Sequence, residues 1–180
     1  MLRLIVKIFF VLGVLFPAVE ARDVRDDAIA KNVLLIVADD LGFNEHNFMN
    51  NGSKALITPN LDRLAAEGVV LKHYYVQPIC SPTRSALMTG RYPIRLGTQA
   101  NVIYWDTPWA ISDQETFISE NLEETHDTAI YGKWHLGMYR NASTPWGRGF
   151  HKTEGYLQGC GSHWTHESSC CQAHTASQDQ

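Results

Sequence analysis

The chain has 180 residues, of which 19% are charged, and a formal net charge of −4 at pH 7. A mildly acidic chain lacks the basic surface that binds nucleic acid, so we expect no nucleic-acid partner.

Residues 1–21 have the layout of a cleaved secretory signal. Arg3 and Lys7 precede an apolar run over residues 8–16, and Ala21 is a small residue suited to cleavage. The apolar run is shorter than the roughly 20 residues that cross a bilayer, which favours a cleaved signal over a membrane anchor. No later stretch of the sequence is long and apolar enough to span. We therefore predict a product of the secretory pathway without a stable membrane anchor.

Two sequons of the form Asn-x-Ser begin at Asn51 and Asn141. They are candidate N-glycosylation sites because the leader would take the chain through the compartment where glycans are added.

The cysteines are Cys80, Cys160, Cys170 and Cys171. In an oxidising compartment an even number of cysteines favours disulfides. If Cys80 is reserved for chemistry, three cysteines remain, so the pairing stays open. The chain also ends in a polar run without a closing structural element. We expect residues 22–180 to be the N-terminal part of a larger catalytic domain.

The first half of the chain alternates predicted strands with predicted helices. Residues 32–38 are an unbroken apolar, β-branched run, typical of a strand buried on both faces of a parallel sheet. Thr58 and Pro59 begin a predicted helix that Gly68 ends. Residues 69–76 form a second predicted strand.

The second half continues this alternation. Ser81 is the predicted N-cap of a helix that ends before Gly90. A capping-box pattern over residues 112–115 predicts a helix to about Glu124, and residues 128–131 form a short predicted strand. Alternating elements of this kind predict an α/β fold with a largely parallel sheet.

Polar side chains that could take part in catalysis or bind a ligand follow the predicted strands. They are Asp39, Asp40, Cys80, Lys133 and His135. In parallel α/β sheets the ligand site lies beyond the carboxyl ends of the strands, so we expect these residues to share one site.

The most specific motif is Cys80-Ser81-Pro82-Thr83-Arg84, followed by Thr89-Gly90-Arg91. Its position at the N-terminus of a predicted helix favours an anion there, because free backbone N–H groups and the helix dipole meet at that end. A buried structural or disulfide-bonded Cys80 is the alternative.

This motif resembles the signature of the sulfatase family, in which an oxidising enzyme converts the cysteine to formylglycine. The resemblance implies that the hydrated aldehyde from Cys80 attacks sulfur and then releases sulfate by collapse of the hemiacetal. A plain serine could perform only the first step. The resemblance also implies that Arg84 stabilises the diol, and that the formylglycine-generating enzyme is a partner.

Asp39 and Asp40 carry the hard oxygen ligands that Ca²⁺ and Mg²⁺ prefer. By themselves, two aspartates after a strand are more often a turn or helix cap than a metal site. The stretch around them resembles the first strand of the sulfatases. It implies a Ca²⁺ site, with Mg²⁺ as the alternative, formed by Asp39, Asp40 and the oxygen derived from Cys80.

Lys133 and His135 lie in the block Gly-Lys-Trp-His, where a solvated surface is the alternative interpretation. In an extended chain, two residues at this spacing project to the same side. In the family this block supplies a lysine that grips sulfate and a histidine that hydrogen-bonds formylglycine.

The resemblance runs from about residue 31 to residue 161 and is greatest to the arylsulfatase B branch. It implies an alkaline-phosphatase-like α/β fold, incomplete in this chain. The implied activity is hydrolysis of sulfate esters, such as those of glycosaminoglycan sugars, in the lysosome or outside the cell. Because the family draws further ligands from later sequence, we expect this chain alone to be inactive. The alternatives are a non-catalytic secreted paralogue and a phosphatase or phosphodiesterase of the same superfamily.

Overall fold

The computed structural model describes residues 32–49, 56–162, 164–165 and 167. The predicted leader and Asn51 therefore lie outside the described residues. Chain contacts divide the protein into two units, residues 1–35 and 36–180. Of the first unit the structure describes residues 32–35 alone, and these form neither helix nor strand.

Four α-helices and two strands form the regular structure of the described residues. In chain order they are α1 (Pro59–Glu67), α2 (Cys80–Thr89), α3 (Pro93–Leu96), α4 (Ile118–Leu122), β1 (Ala129–Lys133) and β2 (Lys152–Tyr156), with short 3₁₀ turns at Asn141–Ser143 and Trp146–Arg148. None of these helices has the length and apolar character needed to cross a bilayer.

The sheet is parallel, as predicted. β1 pairs with β2 in a register that places Ala129 opposite Lys152 and Lys133 opposite Tyr156. Gly155 lies opposite Gly132, and a Cβ on Gly155 would come within 2.1 Å of the Gly132 carbonyl oxygen. Glycine is required here because the two backbones approach too closely for a side chain. The α/β class with a parallel sheet is confirmed.

Two predicted strands are not strands in the structure. Residues 36–38 and 69–76 have no partner strand among the described residues, where β1 and β2 pair with each other alone. Val69 and Ile36 are 87% and 77% exposed. A strand needs a neighbour to satisfy its backbone N–H and C=O groups, so apolar, β-branched sequence is not sufficient.

Two helix starts also differ from the prediction. Helix α2 begins at Cys80, with Ile79 as N-cap, because Thr83 N–H already donates to the Ile79 carbonyl at 3.2 Å. The helix predicted from residues 112–115 begins instead at Ile118. The preceding residues form a turn, in which Glu115 N–H donates to the Ser112 carbonyl at 3.1 Å.

The apolar core lies beside β1. It is formed by Leu96, Ile111, Phe117, Trp134 and Leu136, with Met88, Ile130, Phe150 and Leu157 packed against it. Trp134 is 2% exposed. Its indole N–H is within hydrogen-bond distance of the carbonyls of Gly137 (3.1 Å) and Ser143 (3.0 Å). A buried indole whose N–H is hydrogen-bonded fixes the segment after β1, where His135 lies.

Candidate active site

Helix α2 places Cys80 at its first residue, where backbone N–H groups without intrahelical partners and the positive end of the dipole meet. Cys80 is a half-buried free thiol, whereas Cys160 is disulfide-bonded. Ser81 and Ser85, on the inward side of this helix, are both 0% exposed. Among the described residues, Cys80 is thus a free thiol and Cys160 is not.

Two cations and one carboxylate surround the thiol. Lys133 Nζ lies 3.0 Å from Cys80 Sγ and 2.6 Å from Asp39 Oδ2. Arg84 Nη2 lies 3.6 Å from Asp39 Oδ1, and Arg84 Nη1 donates to the Lys133 carbonyl at 2.6 Å. Arg84 follows Cys80 by four residues on one helix, so both side chains lie on the same face. The result is a pair of cations beside a helix N-terminus, an arrangement that is suited to an oxyanion.

The charges of this group stabilise one another. Partial burial acts to raise the pKa of Asp39, but the hydrogen bond and charge of Lys133, together with Arg84, hold that pKa below its ordinary value. Burial acts to lower the pKa of Lys133, but hydrogen bonds to Asp39 and Cys80 outweigh it and raise that pKa. At neutral pH Lys133 is therefore an ammonium group and Asp39 a carboxylate.

His135 has a different environment. Burial, with the charges of Lys133 and Arg84, lowers the pKa of His135 to about 4, so the ring is neutral at neutral pH. Its Nδ1 is buried and has no hydrogen-bond partner among the described residues. Gly159 packs closely against the ring, since a Cβ on Gly159 would lie 2.6 Å from His135 Cε1. The site therefore holds a neutral imidazole in a closely packed environment.

A cleft of about 220 Å³ opens beside the thiol. Its lining includes Asp39, Asp40, Cys80, Thr83 and Arg84. The chemistry of the two carboxylates fits a hard cation. Within the described part of the chain, however, no three His, Cys, Asp or Glu side chains form a group that could hold a metal ion. Asp39 and Asp40 could thus supply some of the oxygen ligands of a cation, but fewer than the 6–8 that Ca²⁺ takes.

The structure brings most of the predicted site residues together. Asp39, Cys80, Arg84 and Lys133 are joined by direct contacts, and Asp40 lines the same cleft. His135 does not continue the extended chain from Lys133, because its φ of +61° turns the backbone away. Lys133 is the last residue of β1 rather than a residue after it.

Sequence reasoning missed the part played by Ser81. It was predicted to cap α2, but its hydroxyl donates to the His135 carbonyl at 2.7 Å and accepts from Ile103 N–H at 3.0 Å. A serine at a helix start has the same sequence pattern whether its hydroxyl caps the helix or reaches another segment. No signal in the sequence separates the two.

Comparisons with known proteins identify the family of the chain. The sequence profile of the family described as Sulfatase matches residues 31–173. Arylsulfatase J of Mus musculus is 42% identical over 136 residues, which are 75% of this chain and 22% of that protein. N-acetylgalactosamine-6-sulfatase of Homo sapiens is 42% identical over 115 residues, which are 59% of this chain and 22% of that protein.

A solved structure is also similar. The crystal structure of Ps i-CgsB in complex with k-i-k-neocarrahexaose is 37% identical, with a TM-score of 0.66 over 80% of this chain and 32% of that one. The chain thus spans about a fifth to a third of the length of these proteins.

Proposed function

The chain belongs to the sulfatase family, and we propose that the protein hydrolyses sulfate esters with a formylglycine made by oxidation of Cys80. The observation that carries this proposal is the position of Lys133, whose ammonium group lies 3.0 Å from the Cys80 sulfur. A reactive atom at a helix N-terminus with a fixed cation beside it is the arrangement that an attack on an anionic ester requires.

Each cation has a distinct part in the proposed reaction. Lys133 would bind sulfate oxygens and stabilise the negative charge that grows on them, and Arg84 would stabilise the diol on residue 80. Because both cations already touch Asp39, they are held in place before substrate arrives. Such preorganisation removes the cost of arranging charges during the reaction.

His135 would act as a neutral hydrogen-bonding group. Its lowered pKa of about 4 keeps the ring uncharged at neutral pH, so it would form a neutral hydrogen bond with a hydroxyl on residue 80. The formylglycine supplies, once formed, a second hydroxyl through which sulfate can leave without another attack at sulfur.

A divalent cation would complete the site, Ca²⁺ by our proposal and Mg²⁺ as the alternative. Asp39, Asp40 and the oxygen on residue 80 would hold it, and it would neutralise sulfate charge. Support comes from the cleft that these three residues share.

We propose a sulfated carbohydrate, as in glycosaminoglycans, as the substrate class. Support comes from the sugar named for the human relative and from the oligosaccharide in the similar crystal structure. The leader over residues 1–21 and a disulfide at Cys160 are consistent with the secretory pathway, ending in the lysosome or outside the cell.

The proposal is tested with a form of the protein that contains the whole expected catalytic domain, called the full-length protein below. It is co-expressed with the formylglycine-generating enzyme in a eukaryotic secretory host. Mass spectrometry of the peptide with Cys80 should show the aldehyde and its hydrate. The same preparation should hydrolyse an aryl sulfate, and a chelator should abolish turnover until Ca²⁺ is restored. An unmodified thiol, or turnover of aryl phosphate instead of sulfate, would contradict the proposal. Glycan binding without turnover would favour a non-catalytic paralogue.

We also expect a glycan at Asn141. This side chain is exposed at the start of a 3₁₀ turn, whereas Ser143 is buried and its hydroxyl accepts from Arg140 Nε at 3.2 Å. Transfer should therefore precede closure of this turn. Endoglycosidase should increase gel mobility, and Asn141→Gln should remove one step of that shift. Asn51→Gln is the matched control for the second sequon. A band that no endoglycosidase moves would refute both sites.

A further inference from the structure

We propose that Ser81 is a positioning residue for His135, which it holds in the orientation that the sulfatase reaction needs. This inference rests on the proposed function. It assigns a part to a side chain that touches no substrate and that the sequence pattern assigns to a helix cap.

The hydroxyl of Ser81 joins three segments of the chain. Ser81 lies in the first turn of α2, directly after Cys80, and is 0% exposed. Its Oγ donates to the His135 carbonyl at 2.7 Å and accepts from Ile103 N–H at 3.0 Å. Both hydrogen bonds are buried and link residues far apart in sequence. The Ser81 hydroxyl thus donates one hydrogen bond and accepts another.

Ile103 is the second residue that the Ser81 hydroxyl contacts. Its N–H donates to Ser81 Oγ at 3.0 Å, and its side chain is 4% exposed. Ser81 thus fixes the backbones of His135 and Ile103 directly. If the hydroxyl is removed, a buried carbonyl and a buried N–H both lose a partner.

The backbone of His135 needs such support. Its φ is +61°, a left-handed conformation that is uncommon for a residue other than glycine. Backbone strain of this kind persists only where surrounding contacts hold it. The His135 N–H donates to the Leu157 carbonyl at 3.1 Å, and Ser81 holds the carbonyl on the other side. Without Ser81 the residue is tied at one end only.

Helix α2 provides a matched control. Ser85 lies one turn further on and is also 0% exposed. Its hydroxyl is 2.9 Å from the Pro82 carbonyl and 2.7 Å from Thr98 Oγ1, and none of its hydrogen bonds reaches His135. Ser81→Ala and Ser85→Ala therefore both remove a buried hydroxyl from one helix, but only Ser81→Ala should release His135.

The test compares Ser81→Ala, Ser81→Thr and Ser85→Ala in the full-length protein, with rates normalised to the formylglycine content of each preparation. For Ser81→Ala we expect kcat to fall by about 10- to 100-fold, because a displaced catalytic group costs on that order. KM should change by less than about threefold, since Lys133 still binds sulfate. Ser81→Thr keeps the hydroxyl and should recover most of kcat, and Ser85→Ala should leave it unchanged.

A second measurement does not depend on activity. Histidine-selective NMR should show a shifted or broadened His135 ring signal in Ser81→Ala but not in Ser85→Ala. Equal losses of kcat in both alanine variants, or an unmoved ring signal, would overturn the positioning role. A wild-type protein that hydrolyses no sulfate ester would refute the proposed function instead. The NMR signal of the His135 ring would then decide the role of Ser81.

Discussion

The Cys80→Ser variant of the full-length protein is expected to lose at least about 1,000-fold in sulfatase turnover, since removal of a nucleophile commonly costs that much or more. Serine still offers one hydroxyl at the N-terminus of α2, where Lys133 can stabilise a bound anion. It lacks the second hydroxyl through which the sulfated intermediate would collapse. We therefore expect one attack on the substrate and then arrest.

The arrest has a direct signature. Intact-protein mass spectrometry after incubation with an aryl sulfate should show one sulfo group retained on Cys80→Ser. The matched control is Cys80→Ala, which leaves no hydroxyl and should retain none. Steady turnover by the serine variant would show that a second hydroxyl on residue 80 is unnecessary and would exclude the formylglycine mechanism.

The Lys133→Ala variant is expected to lose about 100- to 1,000-fold in kcat/KM, the range seen when one preorganised charge-stabilising group is removed. Its ammonium group is the one that contacts both Cys80 Sγ and the Asp39 carboxylate. Lys133→Arg should lose less, because it keeps the charge but not the length or geometry.

The melting temperature of Lys133→Ala distinguishes a loss of catalysis from a loss of folding. The Asp39 side chain is 43% exposed, so water can solvate it after Lys133 is removed, and an ion pair with a partner this exposed contributes only about 0–1 kcal/mol. The melting temperature should therefore change little. Lys152→Ala, at an exposed lysine that begins the neighbouring strand, is the matched control and should keep full activity. Equal activity in Lys133→Ala and Lys152→Ala would refute the role of Lys133.

Local sequence patterns predicted the elements that depend on local interactions. Helix α1 begins at Pro59 and ends before Gly68, and α2 ends before Gly90 in a left-handed cap, as predicted. The start of α1 follows from the fixed φ of proline and the end of α2 from the freedom of glycine, which are properties of single residues. The strands predicted over residues 32–38 and 69–76 fail in the structure because strand formation depends on a partner that the run itself does not specify.

The sequence by itself determined the chemistry of this protein, because residue types fix which groups can act. It supplied a cysteine at a helix start, two cations, two carboxylates and a histidine, all within the stretch that matches the sulfatase family. Only the tertiary structure decided which of them meet. Lys133 reaches Cys80 because β1 ends beside α2, and His135, with its left-handed backbone, is joined to α2 through the hydrogen bond that its carbonyl accepts from Ser81. Contacts between residues about 50 positions apart depend on how separate elements pack, which local sequence does not encode.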